Sequence, residues 1–231
     1  MNRHLLCLLA FVLTLAGCSS DKATANLKVS DFQTTQRGGN PIIRIACIGD
    51  SITFGAGVEG RETNSYPAQL AILLGPKFEV KNFGRSGATL MKNGDLPYWT
   101  TDEFKGSDQF APDVIILKLG TNDTKPQNWK GKDAFINDYK AMIDHYRSLP
   151  SHPKIWACLP VPVYEDKWGI NAATLEQAID AIQAACENKK IPLIDLNDAL
   201  TGHASFFPDK IHPNAAGAAL MAHTIYQALR P

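Results

Sequence analysis

The stretch Ile43-Arg44-Ile45-Ala46-Cys47-Ile48-Gly49-Asp50-Ser51-Ile52-Thr53 decides the fold. A run of β-branched and apolar residues stops abruptly at Gly-Asp-Ser. That pattern predicts a buried strand ending in a tight turn that carries one hydroxyl. In an open α/β sheet, ligands bind at the carboxyl ends of the strands. Ser51 is therefore a candidate nucleophile, and such a serine needs a base, an orienting acid and donors for an oxyanion.

Working outward, strand-like and helix-like segments alternate. Ser65–Leu74 predicts a helix with Ser65 as N-cap and Pro67 in its first turn, stopped by Gly75-Pro76. Phe78–Asn82 predicts a short strand ending in Gly84-Arg85-Ser86-Gly87, and 53–64 reads as a loop. Met91–Gln109 is polar and reads as a surface excursion around Pro97-Tyr98-Trp99. Asp113–Leu119 is the clearest strand and ends at Gly120-Thr121-Asn122-Asp123. A helix with a stripe of Phe135, Ile136, Tyr139, Met142, Ile143 and Tyr146 follows over 133–149. Strands are expected at 155–159 and 191–196, and helices at 174–189 and 213–229. Strands alternating with helices imply βαβ units and a parallel sheet covered on both faces. The expected fold is α/β: a three-layer α/β/α sandwich with a flavodoxin-like five-stranded parallel sheet of order 2-1-3-4-5.

The chain has 231 residues, a formal net charge of +0 and 20% charged residues. That length suits one α/β domain, and the balance gives no basic patch for nucleic acid. Met1–His4 is a short basic start and Leu5–Leu15 an apolar run too short to span a bilayer, the shape of a signal-peptide core. It ends in Leu15-Ala16-Gly17-Cys18, which resembles the bacterial lipobox, where the cysteine carries lipid. The expected organisation is a lipoprotein signal peptide over 1–17, then a lipidated Cys18 and flexible polar tether over 18–40. A catalytic domain follows over 41–231. The resemblance implies an exported bacterial lipoprotein, anchored to a membrane through Cys18 and facing the periplasm or the cell surface. Cys47, Cys158 and Cys186 remain in the domain, and no structural disulfide is expected from them.

Four short segments then line up: Gly49-Asp50-Ser51, Asn82-Phe83-Gly84, Gly120-Thr121-Asn122-Asp123, and Phe207-Pro208-Asp209-Lys210-Ile211-His212-Pro213 before the last helix. In order they supply a Ser, a Gly, an Asn and a His, with an Asp three residues before the His. This set resembles the SGNH (GDSL) hydrolase superfamily across essentially the whole domain, with Ile52-Thr53 where the family name has Leu. The resemblance implies an esterase or lipase that acts without cofactor, and no His/Cys/Asp cluster in the sequence has zinc-ligand spacing. The family's Ser, Gly, Asn and His fall on Ser51, Gly84, Asn122 and His212, and its triad acid on Asp209.

The chemistry can also be stated from the residues. A serine hydroxyl attacks only when a base takes its proton, and imidazole as a residue type titrates near neutrality. His212 is the candidate base, and Asp209 would accept its other ring N–H and stabilise the imidazolium. The Ser51 N–H, the Gly84 N–H and the Asn122 amide are candidate oxyanion donors, each worth about 10²–10³ in kcat. Each residue has a plainer reading. Ser51 could cap the following helix, Gly84 and Asn122 could close turns, and Asp209 could cap a helix-start His212. Asp50 reads as support for the nucleophile turn and Asp123 as a brace for the Asn122 loop.

For substrate, Arg85, Tyr98, Trp99 and Trp129 are candidates, alongside loop residues Asn93, Asp95, Lys125, Asn128 and Trp168. Aromatics mixed with polar groups suit a sugar, although Trp99 and Trp129 could instead pin down long loops. Gly94–Trp99 together with Gly120–Trp129 looks like the SGNH modules of bacterial carbohydrate O-acetylesterases, sialate O-acetylesterases among them. The expectation is a serine esterase removing small acyl groups, acetyl first, from a glycan or small-molecule ester through an acyl-enzyme. The alternatives are a lysophospholipase or thioesterase of the same superfamily, or an idle glycan-binding lipoprotein.

Overall fold

The computed structural model describes residues 42–229. The expected signal peptide over 1–17, the lipidated Cys18, the tether and the domain start at Pro41 lie outside the described residues. Among the described residues, no helix is long and apolar enough to cross a membrane.

The elements in chain order are β1 (Ile43–Gly49), α1 (Ser51–Phe54), α2 (Arg61–Asn64), α3 (Tyr66–Leu74), β2 (Phe78–Gly84), α4 (Asp102–Gln109), β3 (Val114–Lys118) and α5 (Lys132–Arg147). They continue with β4 (Lys154–Cys158), α6 (Ala172–Lys189), β5 (Leu193–Ile194), α7 (Leu196–Leu200) and α8 (Ala215–Leu229). The five strands form one sheet of order β2-β1-β3-β4-β5, every pair parallel. This is the predicted three-layer α/β/α sandwich.

Side-chain alternation explains the two helical layers. Ile43, Ile45 and Cys47 of β1, with Val114, Ile116, Trp156 and Cys158, face α3 and α8. Ala46 and Ile48, with Ile115, Leu117, Ile155 and Ala157, face α5 and α6, whose Phe135, Tyr139, Ala178 and Ile182 are fully buried. Both faces of each central strand are thus dry, so the strands read as unbroken apolar runs. Cys47, Cys158 and Cys186 are buried free thiols in these cores.

Three stretches differ from the sequence reading. The polar stretch over 91–109, expected as a surface excursion, contains α4, started by Thr101, whose Oγ1 accepts from Phe104 N at 3.1 Å. Its polar composition carries no apolar stripe to announce it. The loop over 53–64 holds the end of α1 and all of α2, each a helix of four residues. β5 is only two residues long, because Asp195 caps a new helix by accepting from Asp198 N at 2.8 Å.

The order β2-β1-β3 matters most for the site. β1 is flanked by β2 and β3, so the turns after all three open side by side. Gly49 is required at the end of β1, since a Cβ there would overlap the Thr53 side chain and lie 2.6 Å from the Lys118 carbonyl oxygen.

Candidate active site

Asp50, and not Ser51, caps α1: its Oδ1 accepts from Ile52 N at 2.9 Å. The cap reading of Ser51 is thereby answered. Its hydroxyl is left for other work, and its N–H is among the first helical amides, which have no partner inside the helix. Asp50 has a second task. Its carboxylate lies 3.1 Å through each oxygen from Lys118 Nζ, which also donates to Thr121 Oγ1 at 3.1 Å. Both members of this ion pair are fully buried. It ties the Ser51 turn to the turn that carries Asn122.

Ser51 Oγ lies 2.8 Å from His212 Nε2, although 161 residues separate them in sequence. His212 Nδ1 lies 2.8 Å from Asp209 Oδ2. A carboxylate can only accept, so Nδ1 carries the proton, Nε2 presents its lone pair, and the Ser51 hydroxyl donates to it. The other carboxylate oxygen, Asp209 Oδ1, accepts from Ile211 N at 2.9 Å and His212 N at 2.7 Å. The plain and the chemical readings of Asp209 are thus both satisfied, one oxygen holding the turn and the other holding the ring. Partial burial works against its charge, but the His212 and Ile211 N–H groups and the imidazole outweigh it and hold the carboxyl below its usual range.

Asn122 is buried, and its Nδ2 donates to the Ala88 carbonyl at 3.1 Å, leaving one N–H of the amide. Asp123 braces the same loops, accepting from Leu90 N at 2.9 Å and Met91 N at 2.7 Å. Complete burial pushes its carboxyl up to about 7 against these two bonds, and Asp50 adds to the rise.

Gly84 requires a correction. Its N–H is already donated to Asn82 Oδ1 at 2.9 Å, so it does not face a substrate oxygen. Glycine is needed there for packing: a Cβ would overlap the backbone nitrogen of Phe54 in α1. The turn that touches Asn122 is the next one, Arg85–Ala88, through the Ala88 carbonyl, and it is closed by Ala88 N donating to Arg85 O at 3.1 Å. Its central Gly87 has φ +83°, and a central amide of such a turn makes no bond within it. The sequence signal for Gly87 was the Ser86-Gly87 dipeptide, a turn marker that a strand-end search passes over.

The substrate candidates are dispersed. Tyr98 is a second correction: it is fully buried and its hydroxyl donates to the Phe83 carbonyl at 2.7 Å, so it cannot meet a substrate. Trp99 Nε1 donates to the Leu90 carbonyl at 2.7 Å, and its ring packs on Phe104. Trp129 packs 5.5 Å from the Phe135 ring. Both tryptophans pin loops to the core beneath them. Arg85 is exposed and pairs with Glu103 at 3.5 Å. Asn128 Nδ2 donates to Asp95 Oδ1 and to the Asn122 carbonyl, both at 2.9 Å, so it stitches the two loops together. An aromatic that stands beside His212 is Trp168, its ring 5.7 Å from the imidazole.

Other histidines hold structural partners. His145 Nε2 lies 3.0 Å from Asp108, and His203 stacks on Phe206 at 5.0 Å. No group of three or more His, Cys, Asp and Glu side chains among the described residues could hold a metal ion.

A family model described as GDSL-like Lipase/Acylhydrolase family matches residues 47–220, from β1 into α8. An acetylxylan esterase of Xylanibacter ruminicola is 37% identical over 207 residues, 81% of this chain and 43% of that protein. A multidomain esterase of Ruminococcus flavefaciens is 25% identical over 214 residues, 76% of this chain and 27% of that protein. The chain thus spans under half the length of either relative. A solved carbohydrate acetylesterase from Sinorhizobium meliloti shares the fold, with a TM-score of 0.69 at 19% identity over 79% of this chain and 96% of that one.

Proposed function

Because the chain belongs to the GDSL-like lipase/acylhydrolase family, we propose that it is a serine esterase that removes small acyl groups, acetyl first, from carbohydrate. The observation that carries the reading is the continuous hydrogen-bond line from Ser51 Oγ through His212 to Asp209. The acetylxylan esterase relative supports the acyl group and the class of alcohol.

In this reading Ser51 Oγ attacks the ester carbonyl while its proton passes to His212 Nε2. The carbonyl π electrons move onto oxygen. The Ser51 N–H, the free N–H of Asn122 Nδ2 and the Gly87 N–H donate to that oxyanion, with Gly87 in the place first given to Gly84. Such donors are preorganised and pay no reorganisation as charge develops. Asp209 keeps the ring in its tautomer and offsets the imidazolium charge. The tetrahedral species collapses by breaking the bond to the alcohol, whose oxygen takes the proton from Nε2. Water then enters and is deprotonated by the same nitrogen. It attacks the acyl-Ser51 carbonyl, and Ser51 recovers its proton as the acid leaves.

Two measurements test this. Ser51→Ala should lower kcat on acetyl esters by about 10⁵–10⁶, the loss typical of a deleted serine nucleophile. Retained activity would end the mechanism. A series of p-nitrophenyl esters from acetate to octanoate should fall in kcat/KM with length. Equal or rising rates would transfer the protein to the lysophospholipase or thioesterase reading.

A further inference from the structure

Trp168 is the one aromatic among the exposed large hydrophobic side chains of the described residues, with 57% of its surface open. It sits at the tip of a tight hairpin. Lys167 N donates to the Ile170 carbonyl at 3.2 Å, and Ile170 N donates back to the Lys167 carbonyl at 2.9 Å. The two residues between, Trp168 at φ +54° and Gly169 at φ +81°, are both left-handed, the pattern of a type I′ turn. Asn, Asp or Gly ordinarily fills the first of these positions. A bulky residue there is an outlier, and strain of this kind gathers at functional sites.

The hairpin is held where strain would be useful. Asn171 N donates to Thr124 Oγ1 at 3.2 Å, and a Cβ at Gly169 would lie 3.5 Å from Lys125 Cγ, so the hairpin rests on the loop that carries Asn122. On its other side the Trp168 ring stands 5.7 Å from the His212 ring, the planes inclined by 40°. The Lys167 ammonium lies 4.8 Å from the indole centroid.

This position has a chemical meaning, which rests on the esterase reading above. The departing alcohol takes its proton from His212 Nε2, so the alcohol half of the ester must lie on the His212 side of Ser51. The oxyanion donors, by contrast, surround the acyl carbonyl. We propose that Trp168 is a specificity-determining platform for the alcohol half, taking the apolar C–H face of a pyranose ring that bears the ester. The exposed Lys167 side chain, whose ammonium lies over the indole in the free protein, swings aside for the sugar and offers donors to the hydroxyls at the ring's rim. Trp99 and Trp129, engaged with the core, leave this role to Trp168.

The test is a change in selectivity. Trp168→Gly suits the purpose, because glycine adopts φ +54° without strain and the turn is kept. The ratio of kcat/KM on O-acetylated xylobiose to that on ethyl acetate should fall roughly tenfold, the worth of one lost aromatic stacking contact. The loss should lie mainly in KM, and Trp168→Phe should restore most of the ratio. An unchanged ratio, or no recovery with phenylalanine, overturns the platform and leaves the esterase reading intact. Wild-type protein that hydrolyses neither ester overturns the esterase reading itself, and the platform with it.

Discussion

Lys118→Met removes the ammonium from a fully buried ion pair while keeping most of the side chain's shape. In the wild-type protein that ammonium makes three hydrogen bonds of 3.1 Å, two to Asp50 and one to Thr121. Neither side chain has any exposed surface, so water cannot take over. The variant leaves Asp50 as a buried carboxylate with the Ile52 N–H as its bond. Breaking a buried pair from one side costs about 3–5 kcal/mol, because a charge remains uncompensated. In a domain of this size about 2–4 °C of Tm goes with each kcal/mol, so the expected drop is roughly 6–20 °C. The double variant Asp50→Asn/Lys118→Met removes both charges and should recover at least half of that loss. Urea unfolding followed by circular dichroism and by tryptophan fluorescence gives the free energies, provided the two probes coincide. A single variant within about 0.5 kcal/mol of wild type would refute the reasoning, since such a change is typical of surface substitutions. So would a double variant no more stable than Lys118→Met.

Asn122→Ala should lower kcat about 10²–10³-fold with little change in KM, as expected for a donor that acts on developing charge. By contrast, Gly84→Ala should fail as a folding defect, seen as a lowered Tm, because its Cβ has no room beside Phe54. Stability should depend on pH through two carboxyls of opposite sign. Asp123 is raised on folding from 3.8 to about 7, so its contribution is full below about pH 4 and is lost as pH rises through about 7. Asp209 is lowered on folding, so its contribution is present above about pH 4 and is lost as pH falls further. Urea midpoints measured across pH should show Asp123→Asn flattening the decline between 4 and 7; an unchanged slope would contradict the burial argument. For the proposed lipid anchor, Cys18→Ala expressed in a bacterial host should move the protein from the membrane fraction to the soluble one. An unchanged distribution would dismiss the anchor.

Much of the fold was legible because the buried strands are chemically plain. Val114–Lys118 and Ile43–Gly49 are dry on both faces, so they appear as apolar runs closed by glycine, and their order follows from the alternation with helices. The short elements were not legible. α4 is held by a threonine cap and local polar bonds, and β5 by two residues of pairing, neither of which leaves a periodic signal. At the site, the three-residue Asp209–His212 spacing is that of one turn, in which Asp209 Oδ1 accepts from His212 N and Oδ2 pairs with the ring. Gly84 was misread because a glycine at a strand end serves either backbone packing or anion binding, and only the Asn82 bond to its N–H separates the two. Tyr98 was not separable from a substrate residue in the sequence, and the tryptophans stay open there for a related reason. A tryptophan in a polar loop can be an anchor or a platform, and the difference lies in whether its ring faces the core, as Trp129 does, or the His212 ring, as Trp168 does.

The central claim is that Ser51 is a nucleophile made reactive by His212. Intact-mass spectrometry after treatment with a fluorophosphonate tests it most directly, since the probe marks a hydroxyl that attacks. Wild-type protein should gain one adduct, mapped to Ser51 by peptide sequencing. Ser51→Ala should gain none, and His212→Ala should react far more slowly. An unlabelled wild-type protein, or an adduct that persists in Ser51→Ala, would contradict the account.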